Sequence, residues 1–181
     1  MEDQSPLSLL SEGPRLVLVG PPGAGKTTIG RRLASALSVG LVDSDDLIAY
    51  EYGKPCGEVY AELGEEKFRE IEHEFVARAL ASSGVVSLGG GAVLSEKTRQ
   101  LLTRFDVVYL SVSAEEGARR AAIDGGRPIL EAPDVVEHYA RILEQRKDLY
   151  REVADYKARA EGKTPQQVVA DILGFLDSLK S

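Results

Sequence analysis

The chain has 181 residues, of which 43% are hydrophobic and 28% are charged, a composition typical of a single soluble domain. Its net charge of −7 argues against nucleic acid as a partner, because such partners favour a basic surface. The single cysteine, Cys56, excludes an internal disulfide and fits a reducing compartment. No apolar stretch approaches the roughly 20 residues that span a membrane. These features predict a cytoplasmic protein without membrane contact.

Apolar runs typical of strands alternate with helical patterns along the chain. The predicted strands cover residues 15–19, 40–43, 85–88, 107–111 and, more weakly, 156–160. The predicted helices cover residues 26–37, 45–81, 96–102, 114–122, 134–153 and 165–179. Such alternation predicts a three-layer α/β/α fold with a parallel sheet, whose ligands bind at the carboxyl ends of the strands. We expect residues 1–14 to be a flexible leader and residues 15–181 to form one domain.

The first strand leads directly into a phosphate-binding P-loop. Residues 20–28 read GPPGAGKTT and match the pattern G-x-x-x-x-G-K-[ST] between a predicted strand and a predicted helix. The glycines allow backbone N–H groups to point at phosphate oxygens, and the helix N-terminus adds to the attraction. Lys26 is expected to reach the β- and γ-phosphates, and Thr27 is expected to bind Mg²⁺. The sequence therefore predicts a protein that binds a nucleoside triphosphate.

Two further polar segments follow predicted strands. Asp43 and Asp45 could serve phosphoryl transfer, one through a metal-bound water and the other as proton acceptor. Helix capping explains the same residues equally well. Gly89, Gly90 and Gly91 form either a tight turn or a backbone that a ligand approaches closely. The neighbouring P-loop favours the ligand.

Three arginines are candidates for binding anions. Arg69 lies in a charged helical segment, where most arginines form a solvated surface. Arg127 follows two glycines in a segment that resembles a lid, a common way of bringing an arginine to a transferring phosphoryl group. Arg146 has the spacing of an ordinary surface charge. Local sequence alone does not separate these alternatives.

Taken together, the ordered motifs resemble the shikimate kinase family. Beyond the P-loop, which many kinases share, the resemblance rests on D-S-D at 43–45, F-R-x-x-E at 68–72, L-G-G-G-A at 88–92 and R-P-I-L at 127–130. Tyr139 and the run R-K-x-x-Y at 146–150 resemble the helix that follows the lid in that family. The resemblance implies the nucleoside monophosphate kinase fold: a five-stranded parallel sheet, a substrate-binding helical region at about 44–82 and a mobile lid at about 122–134.

The resemblance also implies transfer of the ATP γ-phosphate to the 3-hydroxyl of shikimate, in the route to chorismate and the aromatic amino acids. Asp45 would bind the shikimate hydroxyls and act as the base, while Lys26 and Arg127 would stabilise the transferring phosphoryl group. Thr27 would bind Mg²⁺ directly, and Asp43 would do so through water.

The same resemblance implies the remaining binding residues. The substrate site would comprise Asp45, Tyr60, Phe68, Arg69, Glu72, Gly89, Gly90, Gly91 and Arg146. In that site Arg69 and Arg146 would clamp the shikimate carboxylate. The ATP site would comprise Gly23, Ala24, Gly25, Lys26, Thr27, Thr28, Arg120, Arg127, Lys163 and Pro165.

Two other functions compete with this interpretation. A related small-molecule kinase, such as a gluconate kinase, would share the P-loop and the lid, although Arg69, Arg146 and the glycine triplet favour shikimate. A non-catalytic ATP-binding regulator would keep the fold but would usually lose the D-x-D pair or an arginine, and all of these are present. Nothing in the sequence indicates an obligate partner, so we expect a monomer.

Overall fold

The computed structural model describes residues 13–124 and 133–180. The predicted leader therefore lies almost entirely outside the described residues, as do most of the predicted lid and Arg127. The strands are β1 Leu16–Val19, β2 Leu41–Asp43, β3 Val85–Ser87, β4 Val107–Ser111 and β5 Tyr156–Arg159. The helices are α1 Lys26–Leu37, α2 Ser44–Tyr52, α3 Cys56–Leu63, α4 Glu65–Leu80, α5 Glu96–Leu102, α6 Ala114–Asp124, α7 Pro133–Val153 and α8 Pro165–Ser178. Over the two described ranges, none of these helices combines the length and apolarity of a membrane span.

The five strands form one parallel sheet in the order β2-β3-β1-β4-β5, as the alternation of elements predicts. Strand β1 lies at the centre, where Val17 is in register with Val86 of β3 and Val107 of β4. The weakly predicted last strand is confirmed, since β5 pairs with β4 from Tyr156 to Arg159. Because the strands are parallel, their carboxyl ends meet at one edge of the sheet.

Helices cover both faces of the sheet, and alternate residues of β1 enter separate cores. Leu16 and Leu18 pack in the core beneath α1 and α8, whereas Val17 and Val19 pack in the core beneath α4, α5 and α7. All four side chains are almost completely buried, which favours folding by about 1.5–3 kcal/mol for each. The three-layer prediction is therefore confirmed.

The predicted helical region at 45–81 is three helices rather than one. Helix α2 ends at Gly53, which has a left-handed φ of 68° that other residues rarely adopt, and Pro55 then precedes α3. A second break follows at Gly64, where φ is 81°. The three helices enclose a small core of their own, made of Ile48, Val59, Phe68 and Phe75. The breaks allow this segment to fold back beside the sheet.

Candidate active site

A cavity of about 520 Å³ opens at the carboxyl ends of β1, β2 and β3. The predicted site residues that line it are Gly23, Ala24, Gly25, Lys26, Thr27, Thr28, Asp43, Asp45, Gly89, Gly90, Arg120, Lys163 and Pro165. The position agrees with the rule that ligands of parallel sheets bind at this edge. Residues from both ends of the chain thus meet in one place.

The P-loop takes its shape from glycines with left-handed backbone. Gly23 has a φ of 81° and Gly25 a φ of 93°, and Gly25 stands at the N-terminus of α1. At Gly23 a Cβ would also overlap the carbonyl oxygen of Gly117 on α6. The loop therefore needs glycine at this position both for its dihedral angles and for its packing. The helix N-terminus directs its free N–H groups towards the cavity, as an anion site requires.

Lys26 lies half-buried at the start of α1. Its ammonium donates hydrogen bonds to two carbonyl oxygens of its own loop, that of Gly20 at 2.6 Å and that of Pro21 at 3.0 Å. Burial lowers its pKa to about 8, and the charges of Asp45 and Asp43 oppose that effect. A phosphate near this ammonium would favour the charged form, because it supplies the counter-charge that burial makes necessary.

Asp43 and Asp45 differ in what they contact. Asp43 caps α2, since its carboxylate accepts hydrogen bonds from the backbone N–H groups of Asp45 at 2.8 Å and Asp46 at 3.4 Å. Burial, followed by the charge of Asp45, raises the pKa of Asp43 to about 6. Asp45 instead accepts a hydrogen bond from the Cys56 thiol at 3.5 Å, and burial raises its pKa. Capping thus accounts for Asp43 but not for Asp45, and both carboxylates line the cavity.

Other residues lie very close to the backbone of the glycine triplet after β3. A Cβ on Gly89 would overlap the Asp45 carboxylate, and one on Gly91 would overlap the Arg69 guanidinium. The N–H of Gly89 donates to the buried Ser44 hydroxyl at 3.0 Å. A tight turn alone does not require these contacts. Gly89 and Gly91 leave room for two charged side chains, and Gly90 leaves room for the Pro22 ring.

Arg69 is not a solvated surface charge, although its helical segment suggested one. Its side chain is 17% exposed and forms an ion pair with Glu72, with Nη1 2.7 Å from Oε1. The guanidinium carbon lies 5.6 Å from the Tyr60 ring centroid and 5.3 Å from that of Phe68. Its Nε is buried and has no hydrogen-bond partner within the described part of the chain. A buried donor without a partner is uncommon and indicates a place for a ligand.

Glu72 and Arg146 complete this charged group. Glu72 is 2% exposed, and burial raises its pKa despite the opposing charge of Arg69. Arg146, half-buried on α7, is close enough to act on the pKa of Lys26 and on that of Glu72. The surface interpretation of Arg146 is therefore also wrong. An anion bound here would meet two arginines.

Exposed and half-buried charged side chains also line the cavity. Arg120 donates from Nε to Glu116 at 2.9 Å, and Lys163 donates to Asp171 at 2.6 Å. Pro165 begins α8, and Arg119 also lines the cavity although the sequence did not single it out. The three basic side chains are already paired with acidic residues, and they would have to exchange these partners to bind a nucleotide.

Three contacts at the site were not anticipated from the sequence. The Ser44 hydroxyl accepts a hydrogen bond from the N–H of Gly89, and the Cys56 thiol donates one to the Asp45 carboxylate. The Tyr139 hydroxyl donates one to the Pro22 carbonyl at 2.6 Å. The Ser44 and Tyr139 contacts join residues 45 and 117 positions apart, so no local pattern could have indicated the partner. Cys56 and Asp45 are 11 positions apart and lie on successive helices. The sequence contained only weak indications of these contacts. Ser44 lies between two aspartates, and α7, which resembles the family's helix after the lid, contains two of the tyrosines named in that motif.

Comparisons with known proteins agree with the motifs. Residues 22–177 match the family model described as shikimate kinase. A shikimate kinase of Corynebacterium diphtheriae is 58% identical over 167 residues, which cover 92% of this chain and 96% of that protein. Among solved structures, shikimate kinase from Acinetobacter baumannii in complex with shikimate is 32% identical, has a TM-score of 0.84, and the match covers 96% of this chain and 98% of that one. A gluconokinase from Sinorhizobium meliloti, at 19% identity and a TM-score of 0.62 over 93% of each chain, shares the fold alone.

Proposed function

This chain belongs to the shikimate kinase family, and from that premise we propose how its residues transfer the γ-phosphate of ATP to the 3-hydroxyl of shikimate. The products are ADP and shikimate 3-phosphate, on the route to chorismate. The proposal rests mainly on the contacts of Gly89 and Gly90, where the P-loop and Asp45 come together. There the P-loop residue Pro22 lies against Gly90, while Asp45 lies against Gly89.

On the nucleotide side, the P-loop N–H groups and Lys26 bind the phosphates of ATP. Lys26 exchanges its loop carbonyls for phosphate oxygens and stabilises the charge that develops during transfer. Arg127, which lies outside the described residues, supplies a second positive charge from the predicted lid. Arg120, Lys163 and Pro165 border the adenine.

Thr27 and Asp43 are suited to hold Mg²⁺, directly and through water respectively. Both line the cavity beside the phosphate-binding loop, and oxygen is the ligand atom that Mg²⁺ prefers. Over the described residues, no cluster of three or more His, Cys, Asp or Glu side chains could hold a metal ion alone. When bound, Mg²⁺ neutralises charge on the β- and γ-phosphates.

On the acceptor side, Arg69 and Arg146 bind the shikimate carboxylate. The buried Nε of Arg69 supports this role, because charge-assisted hydrogen bonds to a carboxylate would satisfy it. Backbone groups of Gly89, Gly90 and Gly91 bind the ring hydroxyls, while Tyr60 and Phe68 pack against the carbocycle and Glu72 orients Arg69.

Asp45 orients the 3-hydroxyl and accepts its proton. Burial raises its pKa, which makes it a better proton acceptor than an exposed carboxylate. Lys26 influences that pKa from the nucleotide side, so the acceptor and donor ends of the reaction lie close together.

The direct test is ADP release from Mg·ATP with shikimate, with gluconate and with no acceptor. We expect strong stimulation by shikimate alone, and loss of that stimulation in Arg146→Ala. Stimulation by gluconate would favour the related kinase, whereas ATP binding without turnover on either acceptor would favour a regulator.

We also propose that the chain acts as a monomer in the cytoplasm, the compartment that a single cysteine favours. Sedimentation across a hundredfold range of protein concentration tests the first part. A mass of two chains at low concentration would overturn it.

A further inference from the structure

Helix α7 connects the two loops that bind the two substrates. It carries Tyr139 and Tyr150, which are eleven residues apart. Because a helix has about 3.6 residues in each turn, this spacing puts both side chains on the same face, about 16 Å apart along the axis. Arg146 lies between them, seven residues after Tyr139, and belongs to that face as well. One face of α7 therefore reaches the site at three positions.

Tyr139 contacts the nucleotide loop. Its hydroxyl donates to the Pro22 carbonyl oxygen at 2.6 Å, and the side chain is 8% exposed. Residue 117 on α6 must be small here, because a Cβ at Gly117 would overlap the Tyr139 hydroxyl. The carbonyl oxygen of Gly117 in turn lies against Gly23. The Tyr139 hydroxyl is thus fixed between α6 and the loop it contacts.

Tyr150 contacts the acceptor loop. Its hydroxyl donates to the Gly90 carbonyl oxygen, and the side chain is completely buried. Its ring stacks on Tyr109 of β4 with centroids 5.1 Å apart. Burial raises the pKa of both phenols, that of Tyr150 to about 12, so both remain protonated donors at neutral pH.

The two loops that these hydroxyls hold are themselves in contact. A Cβ placed on Gly90 would come within 3.0 Å of the Pro22 ring. Pro22 belongs to the loop that binds ATP, and Gly90 to the loop that binds the acceptor. Any relative movement of the two loops would therefore stretch one of the tyrosine hydrogen bonds or open this contact.

We propose that Tyr139 and Tyr150 are positioning residues that fix the separation between the nucleotide loop and the acceptor loop. This inference rests on the proposed function of the same site. Neither hydroxyl needs to touch a substrate. Phosphoryl transfer depends on alignment of the attacking oxygen with the γ-phosphate, and a misplacement of about 1 Å can cost about a hundredfold in rate. A loosened pair of loops would also admit water as a competing acceptor.

The test uses Tyr139→Phe, Tyr150→Phe and the double variant, with Tyr156→Phe as a matched control. Tyr156 stacks on Phe175 in the opposite core, and its hydroxyl makes no hydrogen bond within the described residues. For each protein, kcat, both KM values, Tm and the ratio of phosphorylated acceptor to ADP are measured. We expect each site variant to lower kcat about tenfold and to release ADP that the phosphorylated acceptor does not match. The KM for ATP should change little in both variants. The KM for shikimate should change little in Tyr139→Phe but rise in Tyr150→Phe, because the Tyr150 hydroxyl is also hydrogen-bonded to Arg146.

The double variant shows whether the tyrosines act together. Two independent effects would multiply to about a hundredfold, whereas residues that fix one separation should lose little more than the stronger single variant. If Tyr139→Phe does not fold, Gly117→Ala replaces it, because the added methyl displaces the Tyr139 hydroxyl. Site variants with the kcat and product ratio of Tyr156→Phe would overturn the inference. Failure of shikimate to stimulate the unaltered protein would instead overturn the proposed function.

Discussion

The nucleotide side and the acceptor side of the site are built in different ways. Of the predicted acceptor residues, Asp45, Gly89 and Gly90 line the cavity, and the others lie outside its lining. The phosphate-binding part of the nucleotide side comes from one continuous segment, residues 20–28, which contains the turn glycines and Lys26. The acceptor side brings together Asp45 from α2, Arg69 from α4 and Gly89 from the loop after β3. Residues of one continuous segment stay close together because the chain links them. Residues from several elements meet only when those elements pack correctly.

The two sides also differ in how their polar groups are satisfied without ligands. Lys26 on the nucleotide side is bonded to carbonyls of its own loop. On the acceptor side the buried Nε of Arg69 has no partner within the described residues, and burial disfavours the charged form of Glu72. Burying such groups costs free energy of folding. We therefore expect the acceptor side to cost folding free energy until a ligand binds, and the Arg69 Nε is available to that ligand.

The largest expected effect is on the nucleotide side. Lys26→Ala should lower kcat about a thousandfold, because it removes the charge closest to the transferring phosphoryl group. The measurement is ADP release with saturating shikimate, and Lys97→Ala on the exposed surface of α5 is the control. Turnover that survives in Lys26→Ala would mean that the P-loop ammonium is not needed for transfer.

The second largest effect is expected for Asp45→Asn, which should lower kcat about a hundredfold. The amide keeps the size of the side chain but cannot accept the proton and presents a different set of hydrogen bonds. Its exposed neighbour on the same helix provides the control, Asp46→Asn. A kcat near that of the unaltered protein would refute both the base and the orienting role of Asp45.

The sequence predicted the nucleotide side more completely than the acceptor side. The P-loop was identifiable because its function depends on consecutive backbone conformations, and the same was true of β1 and α1. Arg69 and Arg146 had the local pattern of surface charges, and only the ordered set of family motifs indicated otherwise. The contacts of Tyr139 with Pro22 and of Ser44 with Gly89 join residues far apart in the chain. They follow from packing, which no local spacing encodes.

Arg69→Lys should have a smaller effect that is confined to the acceptor. Lysine keeps the charge but loses the planar fork, and with it one charge-assisted hydrogen bond worth about 1.5–3 kcal/mol. The KM for shikimate should therefore rise about 10–100-fold while that for ATP stays the same. Arg78→Lys on the same helix, where the arginine lies over the Phe75 ring, is the matched control. An equal rise in both KM values would show that the two sides are not separate.

The smallest expected effect is on stability, and it tests whether the acceptor side is less stable without its ligand. Burial raises the pKa of Glu72 above its ordinary 4.5, although the charge of Arg69 opposes this. The folded protein thus binds a proton here more tightly than the unfolded chain does. The corresponding stability is fully present below pH 4.5 and is lost as the pH rises through the folded-state pKa.

Glu72→Gln resembles the protonated carboxyl, so variant and unaltered protein should have similar Tm values at pH 4. At pH 7 the variant should melt at the higher temperature, because burial disfavours the ionisation of Glu72 that the rising pH imposes on the unaltered protein, whereas the amide does not titrate. Melting curves without ligands at both pH values measure this, and Glu74→Gln on the exposed surface of α4 corrects for the amide itself. A lower Tm for the variant at pH 7 would mean that the ion pair with Arg69 outweighs the cost of burial. The Glu72–Arg69 pair would then stabilise the empty protein.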